Sequence, residues 1–208
     1  MYNIKTAAAN YEIRTIEEGI FRVRIAKGDK FNETLLSKYN ILQESGEVEA
    51  NVSGNTVELG GVSLEVKDDG SIVVNGAKAP ITITYDGFEG KAYNDKGFTL
   101  NLSLTDDERI FGLGDESREN IARRGTFSRL DIRNIASYGP VPYIMSTNGW
   151  GILINCTYAS TLDCGKEDKN LVTVAAHKGQ VDFYFYVAKS GDVKDVLALN
   201  GKIAGTPI

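Results

Sequence analysis

Any reaction chemistry in this 208-residue chain has to come from a short stock of side chains. Two acidic clusters come first, Asp106-Asp107-Glu108 and Asp115-Glu116. Two carboxyls can cleave a glycosidic bond when they sit about 5–10 Å apart across the sugar. Neighbours on a strand point to opposite faces, so neither cluster alone makes that pair, and the first reads as a solvated turn. The one histidine, His177, lies before a turn in Ala175-Ala176-His177-Lys178-Gly179 and reads as a surface residue. A zinc site needs about four converging ligands, so no metal site is expected. Cys156 and Cys164 read as two thiols near strands. There is no Gly-x-Ser-x-Gly elbow to support a nucleophilic triad. Phe111-Gly112-Leu113-Gly114-Asp115 is glycine-rich, but it lacks the third glycine and the Lys-Ser/Thr of a phosphate loop. On the residues alone, no catalytic residue and no cofactor are assigned.

The elements that would hold these residues are strands. In Ile20-Phe21-Arg22-Val23-Arg24-Ile25 the apolar side chains fall on one face and the arginines on the other, the pattern of a half-buried strand. Val62–Val66, Ile81–Tyr85, Phe98–Leu104, Trp150–Ile154 and Val181–Val187 repeat the alternation. Asp69-Gly70 and Asn75-Gly76 flank Ser71–Val74 and supply the positive φ angles of tight hairpins. Short strands with 22 glycines and 4 prolines predict an all-β, antiparallel β-sandwich. One helix is expected near Asp192 to Ala204, with Asp192 as N-cap, Asp195 in the first turn, and Gly205 and Pro207 as the stop. Its apolar face would carry Val193, Val196, Leu197 and Ile203. No internal repeat or linker divides the chain, so a single domain over 1–208 is expected.

Composition narrows the partners. Hydrophobic residues make up 42% and charged residues 25%, as in an ordinary globular protein. The net charge is -5 with no basic stripe, which argues against nucleic acid. No segment has the length and apolarity of a membrane span or signal peptide, so no membrane partner and a cytoplasmic location are expected. Four Asn-x-Ser/Thr sequons, at Asn32, Asn51, Asn101 and Asn155, read as chance occurrences.

Five motifs in order carry a resemblance. They are Phe111-Gly112-Leu113-Gly114-Asp115-Glu116, Arg123-Arg124-Gly125, Tyr138-Gly139-Pro140-Val141-Pro142-Tyr143, Asn148–Asn155 and Val181–Tyr186. Together they resemble the "YGLGE", "KRG", "Y-x-x-x-PFY", "GYGVLVN" and "LDFYFF" segments of the family 31 glycoside hydrolases. Asp192-Val193 through Pro207 is similar to the helix that follows in that family. The likeness covers about half the chain, from Ile110 on.

That resemblance implies a galactose-mutarotase-like sandwich standing before a catalytic (β/α)₈ barrel, expected after residue 208. In the family the barrel carries the aspartate nucleophile and the acid/base, and α-linked sugars are cleaved with retention. This chain would then be the non-catalytic domain of an α-glucosidase or α-xylosidase type enzyme, inert by itself. Its partners would be its own barrel and an α-linked oligosaccharide, and it could self-associate through the uncovered barrel-docking face. One loop of the family's sandwich reaches the sugar; here it would run from Thr126 to Ser137, with substrate-binding candidates Asp131, Arg133 and Asn134. The family often has "LWNTD" there. An ungapped match puts Asn134 on the acid of that motif, and a gap puts Asp131 on it. Asp115 stands where the family has glutamate, and Asn200 where its helix has tyrosine. Two rivals stay open. A stand-alone carbohydrate-binding module would want an aromatic platform from Tyr138, Tyr143 or Trp150. A sugar mutarotase would want an acid and a base, which His177 alone serves poorly.

Overall fold

The computed structural model describes residues 1–86, 97–115, 120–131 and 139–206. The strands are, in chain order, β1 (Tyr2–Lys5), β2 (Asn10–Glu17), β3 (Ile20–Ala26), β4 (Asn51–Ser53), β5 (Thr56–Leu59), β6 (Val62–Val66), β7 (Ile72–Asn75) and β8 (Ile81–Asp86). They continue as β9 (Phe98–Ser103), β10 (Ile110–Asp115), β11 (Thr126–Leu130), β12 (Gly139–Ser146), β13 (Trp150–Ile154), β14 (Ser160–Cys164), β15 (Leu171–Ala176) and β16 (Val181–Val187). Two helices join them, the one-turn α1 (Leu35–Lys38) and α2 (Val193–Ala204). All strand pairs are antiparallel.

One sheet has seven strands in the order β1-β2-β3-β16-β13-β12-β10. The other has nine, β11-β14-β15-β9-β8-β7-β6-β5-β4. Strands β4 to β8 form a meander through short turns in which the alternation keeps its register, and β9 pairs with β8. The hairpin at Asp69-Gly70 shows how. Gly70 takes φ 89°, and Asp69 Oδ1 accepts from the Ser71 amide and hydroxyl. Val66 and Ile72 pair across it.

The main core lies between the sheets. Phe21, Val23, Ile152, Phe183 and Phe185 from the seven-stranded sheet meet Leu64, Val74, Leu100, Val172 and Val174 from the other. Trp150 is fully buried there and stacks on Phe185, ring centres 5.8 Å apart. At about 25 cal/mol per Å² of apolar surface removed from water, this layer is the main stabilising term.

The seven-stranded sheet is buried on its outer face as well, which the half-buried reading of Ile20–Ile25 and Val181–Val187 did not anticipate. Ile16, Ile20, Tyr143, Tyr184 and Tyr186 form a second apolar cluster with Val196 and Ile203 of α2. Arg22, read as a solvent-side residue, is 5% exposed and makes a two-pronged contact with Asp182, at 3.0 and 2.7 Å. Glu44 and Ser37 also accept from its guanidinium. A segment running from α1 to Gln43, whose amide donates to the Ile203 carbonyl, closes this face. Burial pushes the Asp182 carboxyl upward, while Arg22 and the Asn155 amide oppose it.

The helix α2 begins as expected. Asp192 is extended and its carboxylate accepts from the Lys194 amide. Val196 and Ile203 are buried, but Leu197 is 50% exposed. One residue turns a helix by about 100°, which carries Leu197 off the stripe that Val196 and Ile203 share. Leu199 packs there instead.

Candidate functional site

The site is best built from the turn that precedes its loop. Arg123 is 5% exposed and its Nε donates to the Gly112 carbonyl at 3.0 Å. Arg124 reaches the carbonyls of Thr105, Glu108 and Lys169. Gly125, at φ 79°, donates its amide to Cys164. The Arg-Arg-Gly motif is thus a clamp on backbone carbonyls, and it fixes where β11 starts.

What Arg123 holds is a bulge. Gly112, Leu113 and Gly114 take φ 124°, 72° and 69°, and the β10–β12 register shifts between the two glycines. Leu113, the one non-glycine, is fully buried. A Cβ on Gly114 would stand 2.1 Å from the Gly139 carbonyl, and one on Gly112 2.3 Å from that of Tyr143. Glycine is required here because the neighbouring strand's backbone passes too close for any side chain. The glycine-rich stretch therefore serves strand geometry, not phosphate.

From the clamp, β11 runs along the edge of the nine-stranded sheet, paired with β14. Asp131 follows its last residue and is half-buried. It lines a cavity of about 380 Å³ with Leu130, Pro140, Pro142 and Tyr158. Since β12 belongs to the other sheet, this cavity has lining residues from both sheets. Of the other loop candidates, Arg133 and Asn134 lie outside the described residues, as does Tyr138.

A second cavity, of about 210 Å³, adjoins it. Arg24, Asn32, Glu33, Thr34, Tyr158 and Gln180 line it. Its floor is a bonded chain. Thr34 Oγ1 donates to Asn155 Oδ1 at 2.8 Å, and Asn155 Nδ2 donates to Asp182 at 3.0 Å. Asn155 is 1% exposed, so the sequon there is closed to glycosylation in the fold. Burial pushes the Cys156 thiol up, and a protonated thiol is a poor nucleophile.

The buried carboxylates have structural partners. Asp163 caps the turn after β14 by accepting from the amides of Lys166 and Glu167. Glu12 accepts from Arg24. Glu108 corrects the solvated-turn reading of its cluster. Asp106 and Asp107 are exposed, but Glu108 is 3% exposed. It accepts from Trp150 Nε1 at 2.5 Å, from the Thr105 amide at 2.8 Å and from the Ser146 hydroxyl. Of the aromatic candidates, Trp150 and Tyr143 are core residues. Tyr158, which the sequence did not single out, is 51% exposed.

Two antiparallel sheets packed face to face, with a helix closing one outer face, define an all-β sandwich. Residues 10–163 match the glycosyl hydrolase 31 N-terminal galactose mutarotase-like domain, and the chain belongs to that family. An isomaltosyltransferase of Sporosarcina globispora is 28% identical over 111 residues, 48% of this chain and 10% of the relative. Alpha-xylosidase A of Aspergillus niger is 29% identical over 112 residues, 52% of this chain and 15% of the relative. Among solved structures, a family 31 dextranase of Flavobacterium johnsoniae complexed with glucose superposes with TM-score 0.73 at 18% identity, covering 97% of this chain and 26% of that one. A family 31 α-xylosidase from a soil metagenome, complexed with xylose, gives 0.72 at 18% identity, with 98% and 33% covered. At these identities the superpositions show the fold. The chain spans only a minor part of each of these proteins' length.

Proposed function

We propose that this chain is the non-catalytic amino-terminal domain of a retaining α-glycosidase of α-glucosidase or α-xylosidase type. It packs on a catalytic barrel that follows it and lends the loop after β11 to the sugar site. The observation that carries this reading is the position of Asp131. A clamped turn and an edge strand deliver it to the mouth of an inter-sheet cavity, and the family match covers Arg123, β11 and all the residues that line that cavity. Loops anchored at both ends on a rigid scaffold are suited to presenting polar groups. Arg133 and Asn134 belong to the same proposed sugar-facing set. The structural duties of Glu12, Glu108, Asp163 and Asp182 support a domain that leaves bond cleavage to the barrel.

A docking face has support too. Phe111, Met145 and Val193 line a shallow apolar depression of about 410 Å³ beside edge strand β10, with Ile121 77% exposed at its rim. Covering such surface is the usual role of a neighbouring domain. Uncovered, the same face is where the isolated domain would self-associate.

The test is kinetic and uses the polypeptide that carries the barrel. Asp131→Ala and Asn134→Ala are each expected to lower kcat/KM on an α-glucoside or an α-xyloside by roughly 10- to 150-fold, as for a lost charged hydrogen bond worth about 1.5–3 kcal/mol. If both variants stay within about twofold of the parent on both substrates, the loop has no part in the site.

A further inference from the structure

The two cavities beside the loop meet at one place. Cys156, Thr157 and Tyr158 line both. Cys156 is recessed and its thiol approaches the Lys178 carbonyl at 3.8 Å, so the exposed side chains at the junction are those of Thr157 and Tyr158. We propose that Tyr158 is the platform of a saccharide-binding groove made by these two cavities, with Asp131 at one end and Asn32, Glu33 and Gln180 at the other. The proposal rests on the sugar-enzyme reading above for the class of ligand, and on the chain's own surface for the site.

The groove is built, not merely open. Gln180 accepts from the Asn32 amide at 2.7 Å and donates to the Lys30 carbonyl at 3.1 Å, which locks the 30–32 segment onto the turn at Gly179. Thr34 is tied to the buried Asn155. Arg24 is held by Glu12 and covers the Phe31 ring, 5.1 Å from its centre. A wall fixed before binding loses little freedom when a ligand arrives. Tyr158 is seated the same way. A Cβ on Gly179, at φ 99°, would lie 3.5 Å from Tyr158 Cδ2, so the ring packs on the backbone of that turn. Half the residue stays in solvent.

The chemistry selects a neutral polyol with an apolar face. Among the described residues that line the two cavities the cation is Arg24, and Glu12 engages it, so a phosphate or carboxylate ligand finds no unpaired cation in the walls. Glu33 and Asn32 are exposed, and their side chains make no hydrogen bond or ion pair among the described residues. Carboxylate and amide groups so placed can accept from and donate to vicinal hydroxyls. A tyrosine ring adds an apolar surface with a polar tip, against which the C–H face of a pyranose stacks. The smaller cavity, about 210 Å³, lies below the roughly 300–1,000 Å³ of drug-sized sites, the scale of one sugar ring. Two adjoining cavities suit a di- or trisaccharide.

The test uses the purified chain and calorimetric titration with isomaltotriose and with maltotriose, and with sorbitol as a polyol that has the hydroxyls but no ring face. Saturable binding of at least one trisaccharide is expected. Tyr158→Ala should weaken it about five- to tenfold, and Tyr158→Phe should stay within about twofold. Glu33→Ala should weaken it by a smaller factor. The side chain is at the surface, so a thermal melt matching the parent is expected for each variant. No saturable binding up to about 50 mM, equal affinity for sorbitol, or an unaltered affinity in Tyr158→Ala would each overturn the groove. These outcomes are independent of the Asp131 kinetics, which test the loop. If the kinetics fail and Tyr158-dependent binding persists, the groove stands and the loop's role falls.

Discussion

Glu108 shows what a single residue can conceal. In sequence it closes an acidic run that belongs on a turn, and Asp106 and Asp107 are indeed on one. The carboxylate of Glu108, however, turns inward and gathers the Trp150 indole, the Ser146 hydroxyl and the Thr105 amide. Removing an acceptor that several buried donors share leaves those donors unpaired, which costs more than the bond itself. Glu108→Ala is expected to lose about 3 kcal/mol of stability, while Ser146→Ala, which removes one donor and keeps the rest, should lose about 1 kcal/mol. Chemical denaturation of the two variants checks the ordering. A loss below that of Ser146→Ala would mean that water replaces the carboxylate. The Thr105-x-x-Glu108 spacing, unused in the reading of the sequence, could have signalled this bond, since it is a capping-type pair in which the acid reaches back to the threonine amide. Burial of that acid depends on β12 and β13 arriving beside it, and spacing says nothing of that.

At the scale of elements, local signals were read well where local physics decides. The N-cap at Asp192, the hairpin at Asp69-Gly70 and the strand alternation all depend on residues close in sequence. The Gly112-Leu113-Gly114 stretch does not. Its glycines are needed because β12 passes 2.1 to 2.3 Å from where their Cβ atoms would be, a long-range fact. Gly114→Ala is therefore expected to be severe, with a loss of at least about 2–3 kcal/mol from positive φ and backbone overlap together. Gly125→Ala is the control. It shares the positive φ, yet nothing lies within 4 Å of its Cβ position, so its loss should be near 1 kcal/mol. Equal thermal shifts for the two would show that conformation alone, without the close approach, sets the requirement.

The whole molecule is a sandwich with a second buried layer, and its buried tyrosines report on both layers, Tyr11 on the core between the sheets and Tyr143, Tyr184 and Tyr186 on the outer one. Of ten tyrosines, Tyr11, Tyr143, Tyr184 and Tyr186 have their phenols pushed upward, in each case chiefly by burial. Among the described residues, the Tyr143 and Tyr186 hydroxyls have no hydrogen-bond partner. Their folded-state values lie above the unfolded value of about 10. The stability that comes from keeping them neutral is thus fully present below about pH 10. It is lost as pH rises beyond that, since the unfolded chain gives up these protons first. Tyrosinate absorbance should show these four phenols ionising only as circular dichroism reports unfolding. Ionisation of Tyr143, Tyr184 and Tyr186 in a chain that is still folded would rule out the closed outer layer.

The sequence by itself determined the strand-rich class, the turns, the helix with its cap, and through five ordered motifs the family. Each of those rests on periodicity or on residues a few positions apart, where φ preference and side-chain direction act without help from the rest of the chain. Only the tertiary structure decided which polar faces are truly wet. Arg22, Asp182 and Glu108 look solvated in sequence and are buried because a remote segment supplies their partners. Tyr158 passes unremarked in sequence and stands at a groove because Gly179, Asn32 and Asp131 are brought around it. Alternation fixes which side of a strand a residue takes, but what covers that side is set by contacts far along the chain, as between Arg22 and Asp182.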